Sequence, residues 1–174
     1  MLQELYHLIY SIDPALYIVI LAMLPLFEAR YAVIVAYILH KKFGTLPWYN
    51  ALFLSMIGNI IVVIPILFLL PWIEKVMSKW AWSKKLLEFF LNRARKRKDL
   101  IDKHGFWGLT IFVAVPLPVT GAWTGTLMAY LFNVPKKKAI LALVVGVLIA
   151  TSFMTLASYG GIEFLSVILP KVTL

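Results

Sequence analysis

Two oppositely charged residues interrupt the first long apolar stretch of the sequence. Glu28 and Arg30 follow Pro25 within residues 14–39, where the other side chains are apolar or aromatic. A carboxylate in a membrane can carry a proton, and a guanidinium presents a planar fork that suits phosphate oxygens. Each charge would cost about 2.5–3.5 kcal/mol at the centre of a spanning helix, so such residues usually have a function. The pair predicts a binding site for an ionic group, with a structural ion pair between helices as the alternative.

A second interruption lies within residues 106–134. Two prolines, two glycines and three threonines fall between Pro116 and Thr126, and a regular helix does not continue through such a segment. Non-helical backbone at membrane depth is tolerated only where it is buried in protein or lines a wet cavity. We therefore expect both breaks to border an internal site, the first through Pro25, Glu28 and Arg30. The second would contribute Pro116, Pro118, Thr120, Gly121, Trp123 and Thr124.

The elements that position these residues must be membrane helices. The chain has 174 residues, of which 62% are hydrophobic and 14% charged, and its mean hydropathy is +0.89. A soluble domain is about half apolar and about a quarter charged, so a soluble enzyme and a disordered tail are both excluded. The apolar residues form four blocks (14–39, 48–73, 106–134 and 139–169), each longer than the ~20 residues that span a bilayer as a helix. We predict an all-α integral membrane protein with one domain, residues 1–174.

The sequence lacks the residues that disulfides, metal sites and enzymatic catalysis require. The sequence contains no cysteine, which excludes disulfides and thiolate ligands, and its three histidines are scattered. It has neither paired carboxylates suited to phosphoryl transfer nor a nucleophile–base pair. We therefore expect no metal site, no cofactor and no enzymatic activity.

The two interrupted blocks also resemble each other. Pro25-Leu26 recurs as Pro116-Leu117, and Ala36-Tyr37-Ile38 recurs as Ala129-Tyr130-Leu131. In both copies the broken segment is followed by lysines and then by an uninterrupted apolar helix, 48–73 in the first and from 139 in the second. If each broken segment (14–39 and 106–134) is a re-entrant hairpin, the two repeats have opposite orientations, as in many transporters. The alternative is four full crossings and parallel repeats.

Positive charge is concentrated between the repeats. Residues 74–104 hold ten basic and four acidic residues, interleaved with apolar ones, which is typical of a basic amphipathic helix on the membrane surface. The positive-inside rule places this linker in the cytoplasm, where it would anchor the topology or attract anionic lipid headgroups rather than nucleic acid. Residues 1–13 read as a short interfacial helix. The internal glycines would permit homo-oligomers.

The sequence resembles a known family at the two breaks. The runs Leu24–Val33 and Phe112–Gly125, above all the element Pro-x-Pro-x-Thr-Gly-x-Trp-Thr-Gly, resemble the small multi-drug export proteins, which look like a branch of the DedA superfamily. The resemblance extends over nearly the whole chain. It implies two facing re-entrant hairpins and movement of lipids or lipid-linked phosphates across the bilayer. DedA proteins usually carry an arginine in the second hairpin motif, which has no charge here, so Arg30 is left as the intramembrane cation.

These features together suggest a transporter in the plasma membrane that moves phospholipid or polyprenyl phosphate. Protons are one candidate for the driving ion. In this scheme Arg30 would bind the phosphate, while Glu28 would be its partner in the empty site and could carry a proton. Efflux of small cationic drugs on Glu28 is one alternative. A membrane scaffold that transports nothing is another.

Overall fold

The described chain is all-helical. The computed structural model describes residues 13–77, 98–115 and 121–161, and within these ranges it contains helices and their connections but no strand. We number the helices α1 to α6, and a π-helical segment, Leu156–Gly161, continues α6. The bounds are α1 Pro14–Met23, α2 Glu28–Phe43, α3 Trp48–Met77, α4 Lys98–Ala114, α5 Ala122–Leu131 and α6 Lys136–Thr155. The predicted all-α class is confirmed.

The first broken block forms two helices that pack against each other. Asp13 caps α1, its carboxylate accepting a hydrogen bond from the Ala15 amide at 2.8 Å, and Pro14 occupies the first turn, where a missing N–H costs nothing. Small residues such as Ala22 and Ala32 are fully buried, which allows the two backbones to approach closely. The chain leaves helical geometry at Leu24, and α2 begins at Glu28. The predicted break at Pro25 is therefore present.

Two helices are long and apolar enough to cross a membrane. They are Trp48–Val76 within α3 and Lys136–Gly160, which comprises α6 and most of the π-helical segment. Both expose large apolar side chains to their surroundings, including Trp72, Phe153 and Leu156. An aqueous surface would not favour such a coat of side chains, whereas lipid would. Two candidate spanning helices therefore follow the broken segments, as predicted.

The ends of these helices differ from those expected. The helix α3 continues to Met77 through two internal prolines, Pro65 and Pro71, so that residues 74–77 belong to it and not to the basic linker. At its start, α6 includes the three lysines 136–138, because long lysine side chains can extend from a helix end toward water. Residues 1–12 and 78–97, which carry most of the predicted interfacial helix and basic linker, lie outside the described residues.

The second broken block also forms a packed pair of helices. The helix α4 bends at Gly105, whose φ of +50° lies in the left-handed region, so its apolar part runs from His104 to Ala114. After α5 the Asn133 amide donates to the Tyr130 carbonyl and the Val134 amide to the Ala129 carbonyl. These bonds form a Schellman cap that leads the chain into α6.

The helices group into two compact units. The first contains described residues 13–59 and 150–161: α1, α2, the beginning of α3 and the end of α6 with the π-helical segment. The second contains described residues 60–77, 98–115 and 121–149: α4, α5, the beginning of α6 and the end of α3. Each unit therefore has the same composition, namely one helix pair, the first part of the long helix that follows it and the last part of the other long helix.

Candidate functional site

The break between α1 and α2 is a short turn held by backbone hydrogen bonds. The Leu24 carbonyl accepts from the amides of Phe27 at 3.2 Å and Glu28 at 2.9 Å. Pro25 and Leu26 are exposed at this turn. Pro25 thus prevents α1 from continuing and lies at the surface, while the next polar side chain, that of Glu28, is buried. The break positions the charged residues and does not itself present a polar group.

Glu28 and Arg30 both lie in the protein interior. Their side chains are 9% and 7% exposed, and the two charges interact electrostatically. Removing ions from water costs several kcal/mol each even after relaxation, unless they are paired and hydrogen-bonded. The structure thus brings together the two charged residues that the sequence singled out, and it places them at the start of α2.

The backbone at Glu28 is strained. Its φ is +50°, in the left-handed region that glycine and asparagine adopt far more readily than a glutamate does. A residue with a Cβ pays about 1–2 kcal/mol there, and strain of this kind tends to cluster at functional sites. The strain falls on the same residue as the buried carboxylate. Two independent observations therefore single out Glu28.

The first unit has further buried polar residues on its long helices. Ser55 and Asn59 lie on α3 and are 0% and 1% exposed. Thr151, Thr155 and Ser158 follow one another at the end of α6 and in the π-helical segment, and all three are buried. The Thr155 hydroxyl donates to the Thr151 carbonyl at 2.8 Å. The interior of this unit is therefore polar in several places besides the charged pair.

Aromatic side chains join the π-helical segment to the first helix pair. The Tyr159 hydroxyl donates to the Leu46 carbonyl at 3.0 Å, and its ring meets the Tyr37 ring edge-on at 5.0 Å between centroids. The His40 ring lies 5.6 Å from that of Tyr159, and its Nδ1 is 2.8 Å from the Thr45 carbonyl oxygen. These contacts attach the chain's last described segment to the connection between α2 and α3.

The second unit has a less polar interior. Its buried threonines Thr110 and Thr126 bond to the carbonyls of Phe106 and Ala122 one turn earlier, which satisfies their hydroxyls locally. Thr124 is also buried there. The hydroxyls of Thr110 and Thr126 are thus already bonded within their own helices.

The predicted residues of the second break fall in this unit. Gly121, Trp123 and Thr124 lie at the start of α5, with Gly121 and Thr124 buried and Trp123 half-buried. The other three predicted residues, Pro116, Pro118 and Thr120, lie outside the described residues. Glu28 and Arg30 belong to the other unit. The expectation that the two breaks line one site therefore stays a prediction.

The long helices pack against the helix pairs through similar contacts in the two units. A Cβ on Gly58 of α3 would come within 2.4 Å of the Val19 carbonyl oxygen and 3.0 Å of the Ala22 Cβ. A Cβ on Gly146 of α6 would come within 3.0 Å of the Thr110 carbonyl oxygen and 2.7 Å of the Val113 Cβ. The offset of 91 residues between Pro25 and Pro116 also relates these two pairs of neighbours, Val19 to Thr110 and Ala22 to Val113. Each long helix thus uses a glycine to approach equivalent atoms of the preceding helix pair.

A second equivalence concerns the ends of the long helices. Tyr37 of α2 contacts Tyr159 beyond the end of α6, and Tyr130 of α5, its counterpart in the repeated Ala-Tyr motif, donates a hydrogen bond to Glu74 near the end of α3. In each unit the tyrosine of the helix pair therefore contacts the last part of the long helix that belongs to the other repeat.

Metal chemistry finds no obvious site in the described residues. Among them, no three histidine, cysteine, aspartate or glutamate side chains lie together. Ser55, Asn59 and the hydroxyls at the end of α6 were not among the predicted site residues. The sequence did contain a signal for them. Ser55 and Asn59, like Thr151 and Thr155, are polar residues four positions apart in apolar helices, so each pair lies on one helix face.

Comparison with known proteins gives one match. Residues 28–153, well over half of the chain, match the family model described as "Putative small multi-drug export protein". No curated protein and no solved structure matches the chain. The matched segment begins at Glu28 and includes Arg30, the whole second broken pair and nearly all of both long helices.

Proposed function

Because the chain belongs to the small multi-drug export protein family, we propose that it is a membrane transporter for lipids or lipid-linked phosphates, related to the DedA superfamily. The observation that carries this proposal is the buried pair of Glu28 and Arg30 beside a helix break. An apolar membrane protein tolerates two buried charges and a strained backbone where they serve a ligand. We further propose the plasma membrane as its location, with residues 74–104 on the cytoplasmic side, facing anionic lipid headgroups.

The lengths of the helices favour re-entrant pairs. The helices α1 and α5 have 10 residues each, which at 1.5 Å per residue is ~15 Å, half of the ~30 Å hydrocarbon core. A helix of this length can enter the bilayer and turn back but cannot cross it. On this proposal only α3 and α6 cross the membrane, and the two repeats have opposite orientations. The matching composition of the two units and the equivalent glycine contacts support an inverted repeat.

Within this scheme, Arg30 would bind the phosphate group of the substrate. Its planar guanidinium can donate two parallel hydrogen bonds to phosphate oxygens, which a lysine ammonium cannot do in the same geometry. Glu28 would compete with the phosphate for Arg30, so that substrate binding would release the carboxylate to take up a proton. The strained, left-handed backbone of Glu28 would favour release of the carboxylate, because unwinding the first residue of α2 would relieve the strain.

The test is transport in proteoliposomes. The purified protein would be reconstituted with a fluorescent phospholipid or a labelled polyprenyl phosphate, and transbilayer movement would be followed by quenching or by access of a soluble enzyme. We expect Arg30→Gln to reduce transport at least tenfold and Arg30→Lys to restore only part of it. Lys42→Gln, a change at an exposed lysine of the same helix, is the matched control and should leave transport unchanged.

Folding must be separated from activity in this test. Removing Arg30 alone takes a favourable charge interaction away from the buried Glu28 carboxylate, and this loss destabilises the folded protein. The double variant Glu28→Gln/Arg30→Gln removes both charges and keeps polar side chains of similar size. If this variant is monodisperse in detergent and still transports phospholipid at the normal rate, Arg30 does not bind the phosphate.

The family description favours a second candidate, export of small organic cations on the Glu28 carboxylate. The same variants distinguish the two. Loss of Arg30 would abolish phosphate transport, whereas it would free Glu28 and preserve or improve cation export. Glu28→Gln should be the damaging change in that case, measured as loss of drug resistance in a sensitive strain. A protein inactive in both assays that still binds its usual partners would instead be a scaffold.

A further inference from the structure

Three buried oxygen atoms in the first unit have no hydrogen-bond partner in the described part of the chain. They are the Tyr37 hydroxyl, Ser55 Oγ and Asn59 Oδ1, in side chains that are 7%, 0% and 1% exposed. An unsatisfied buried polar group costs about 1–3 kcal/mol, and in a lipid environment water cannot reach it from the surface to reduce that cost. Three such groups lie in one unit, and a bound ligand would offset this cost.

The helix α3 places two of these oxygens side by side. Ser55 and Asn59 are four residues apart, so their Cβ atoms lie about 5–6 Å from each other on one face of the helix. Ala51, one turn before Ser55 on the same face, belongs to the buried cluster that also contains Tyr37. Ser55 thus lies one turn from a residue that shares a buried cluster with Tyr37, and Asn59 lies one turn further along α3.

The counterparts of these residues in the second unit are either hydrogen-bonded or apolar. Tyr130, the counterpart of Tyr37, has its hydroxyl satisfied by the Glu74 carboxylate. With the offset of 88 residues between Gly58 and Gly146, the counterparts of Ser55 and Asn59 are Leu143 and Val147, both apolar. Unpaired oxygens at these three positions are thus not a requirement of the arrangement that the two units share.

We propose that Tyr37, Ser55 and Asn59 contribute to a binding site for a small monovalent cation. Hydroxyl and amide oxygens are hard, neutral ligands, and neutral oxygen dipoles bind monovalent cations inside membrane proteins without a dedicated carboxylate. A divalent ion would require the cluster of acidic groups that the described residues lack. Inorganic sodium and an ammonium group satisfy the same oxygens, so the assay compares them.

The site is independent of the proposed substrate, because cation binding is measured without lipid or drug. The full-length protein in detergent would be titrated with NaCl, KCl, NH₄Cl or choline chloride at constant ionic strength. Tryptophan fluorescence would report the unfolding temperature, and ²²Na⁺ would report binding directly. We expect a saturable rise in the unfolding temperature with one of the three small cations and none with choline. If Na⁺ alone acts, the ligand is the alkali ion, and if NH₄⁺ acts best, it is an ammonium group.

Variants locate the site. We expect Asn59→Leu to weaken cation affinity at least tenfold and Ser55→Ala to weaken it several-fold. Thr110→Val and Tyr130→Phe, which alter paired hydroxyls in the second unit, should leave affinity unchanged. If Asn59→Leu does not fold, Asn59→Asp replaces it and should strengthen binding in a pH-dependent way.

Equal stabilisation by all four salts would show general screening and overturn the proposal. So would the absence of any salt effect, since the three oxygens would then hold only internal water. Unchanged cation affinity in both Ser55→Ala and Asn59→Asp would also overturn it. Loss of transport in Arg30 variants with intact cation binding would leave this site standing, so the two proposals fail separately.

Discussion

Replacing Gly58 with alanine should destabilise the protein, although alanine is the better helix former. The added Cβ would lie 2.4 Å from the Val19 carbonyl oxygen, a backbone atom of α1 that cannot rotate away. Overpacking of this kind costs about 1–3 kcal/mol, and contact with backbone places Gly58 near the upper end. The gain in helix propensity from glycine to alanine returns only about 1 kcal/mol. We therefore expect a net loss of about 2 kcal/mol, or ~4–8 °C in the unfolding temperature of a chain of this size.

The assay is thermal unfolding in detergent, followed by tryptophan fluorescence. Two other glycines provide an internal scale. At Gly146 the Cβ would meet Val113 at 2.7 Å, so Gly146→Ala should cost somewhat less than Gly58→Ala. At Gly160 its nearest neighbour would be the flexible end of Leu156 at 3.5 Å, an ordinary contact, so Gly160→Ala should cost nothing. If the Gly58→Ala variant is at least as stable as the parent protein, α3 does not approach α1 as closely as the structure shows.

Two further predictions concern the second unit. Tyr130→Phe removes the hydrogen bond to Glu74 and should lower stability by about 1–2 kcal/mol, seen as a lower unfolding temperature, because hydrogen bonds to charged groups are stronger than neutral ones; no change would mean that the pair is solvated. Asn133 has a φ of +49° after α5, so Asn133→Ala should cost about 1 kcal/mol in the same measurement, whereas Asn133→Gly should be nearly neutral. Equal effects of the two substitutions would argue against the left-handed cap.

The sequence predicted the elements well where a residue type limits the backbone. Pro25 prevents α1 from continuing and forces a break, and the long apolar blocks can only be buried or face lipid. The residues Glu28 and Arg30 stood out because nothing else in their block is charged. The order of broken segment, lysines and long helix was likewise readable, whereas the glycines had been linked only to homo-oligomers, and their close packing within the chain became visible in the structure.

The polar face of α3 was much harder to predict. In a helix that is apolar nearly all round, hydrophobic periodicity no longer distinguishes the protein side from the lipid side. The sequence therefore does not show whether Ser55 and Asn59 face the protein interior. The strained backbone of Glu28 is also invisible in sequence, because glutamate ordinarily avoids positive φ. Both features depend on tertiary packing, which sets which groups are enclosed and which dihedral angles are imposed.

The shared use of long-helix ends has a consequence for how the protein is made. The first helix pair is synthesised early, but its core is completed by Tyr159, 113 residues after the Leu46 carbonyl to which it bonds. A nascent chain must therefore hold the first helix pair in the membrane without the contacts of Tyr159 until the π-helical segment has been translated. Chaperones and quality-control proteases of the membrane would meet this incomplete state on every molecule. Each half of the chain, produced separately, would lack the long-helix end that completes its unit. On co-expression, each half should supply this end to the other half.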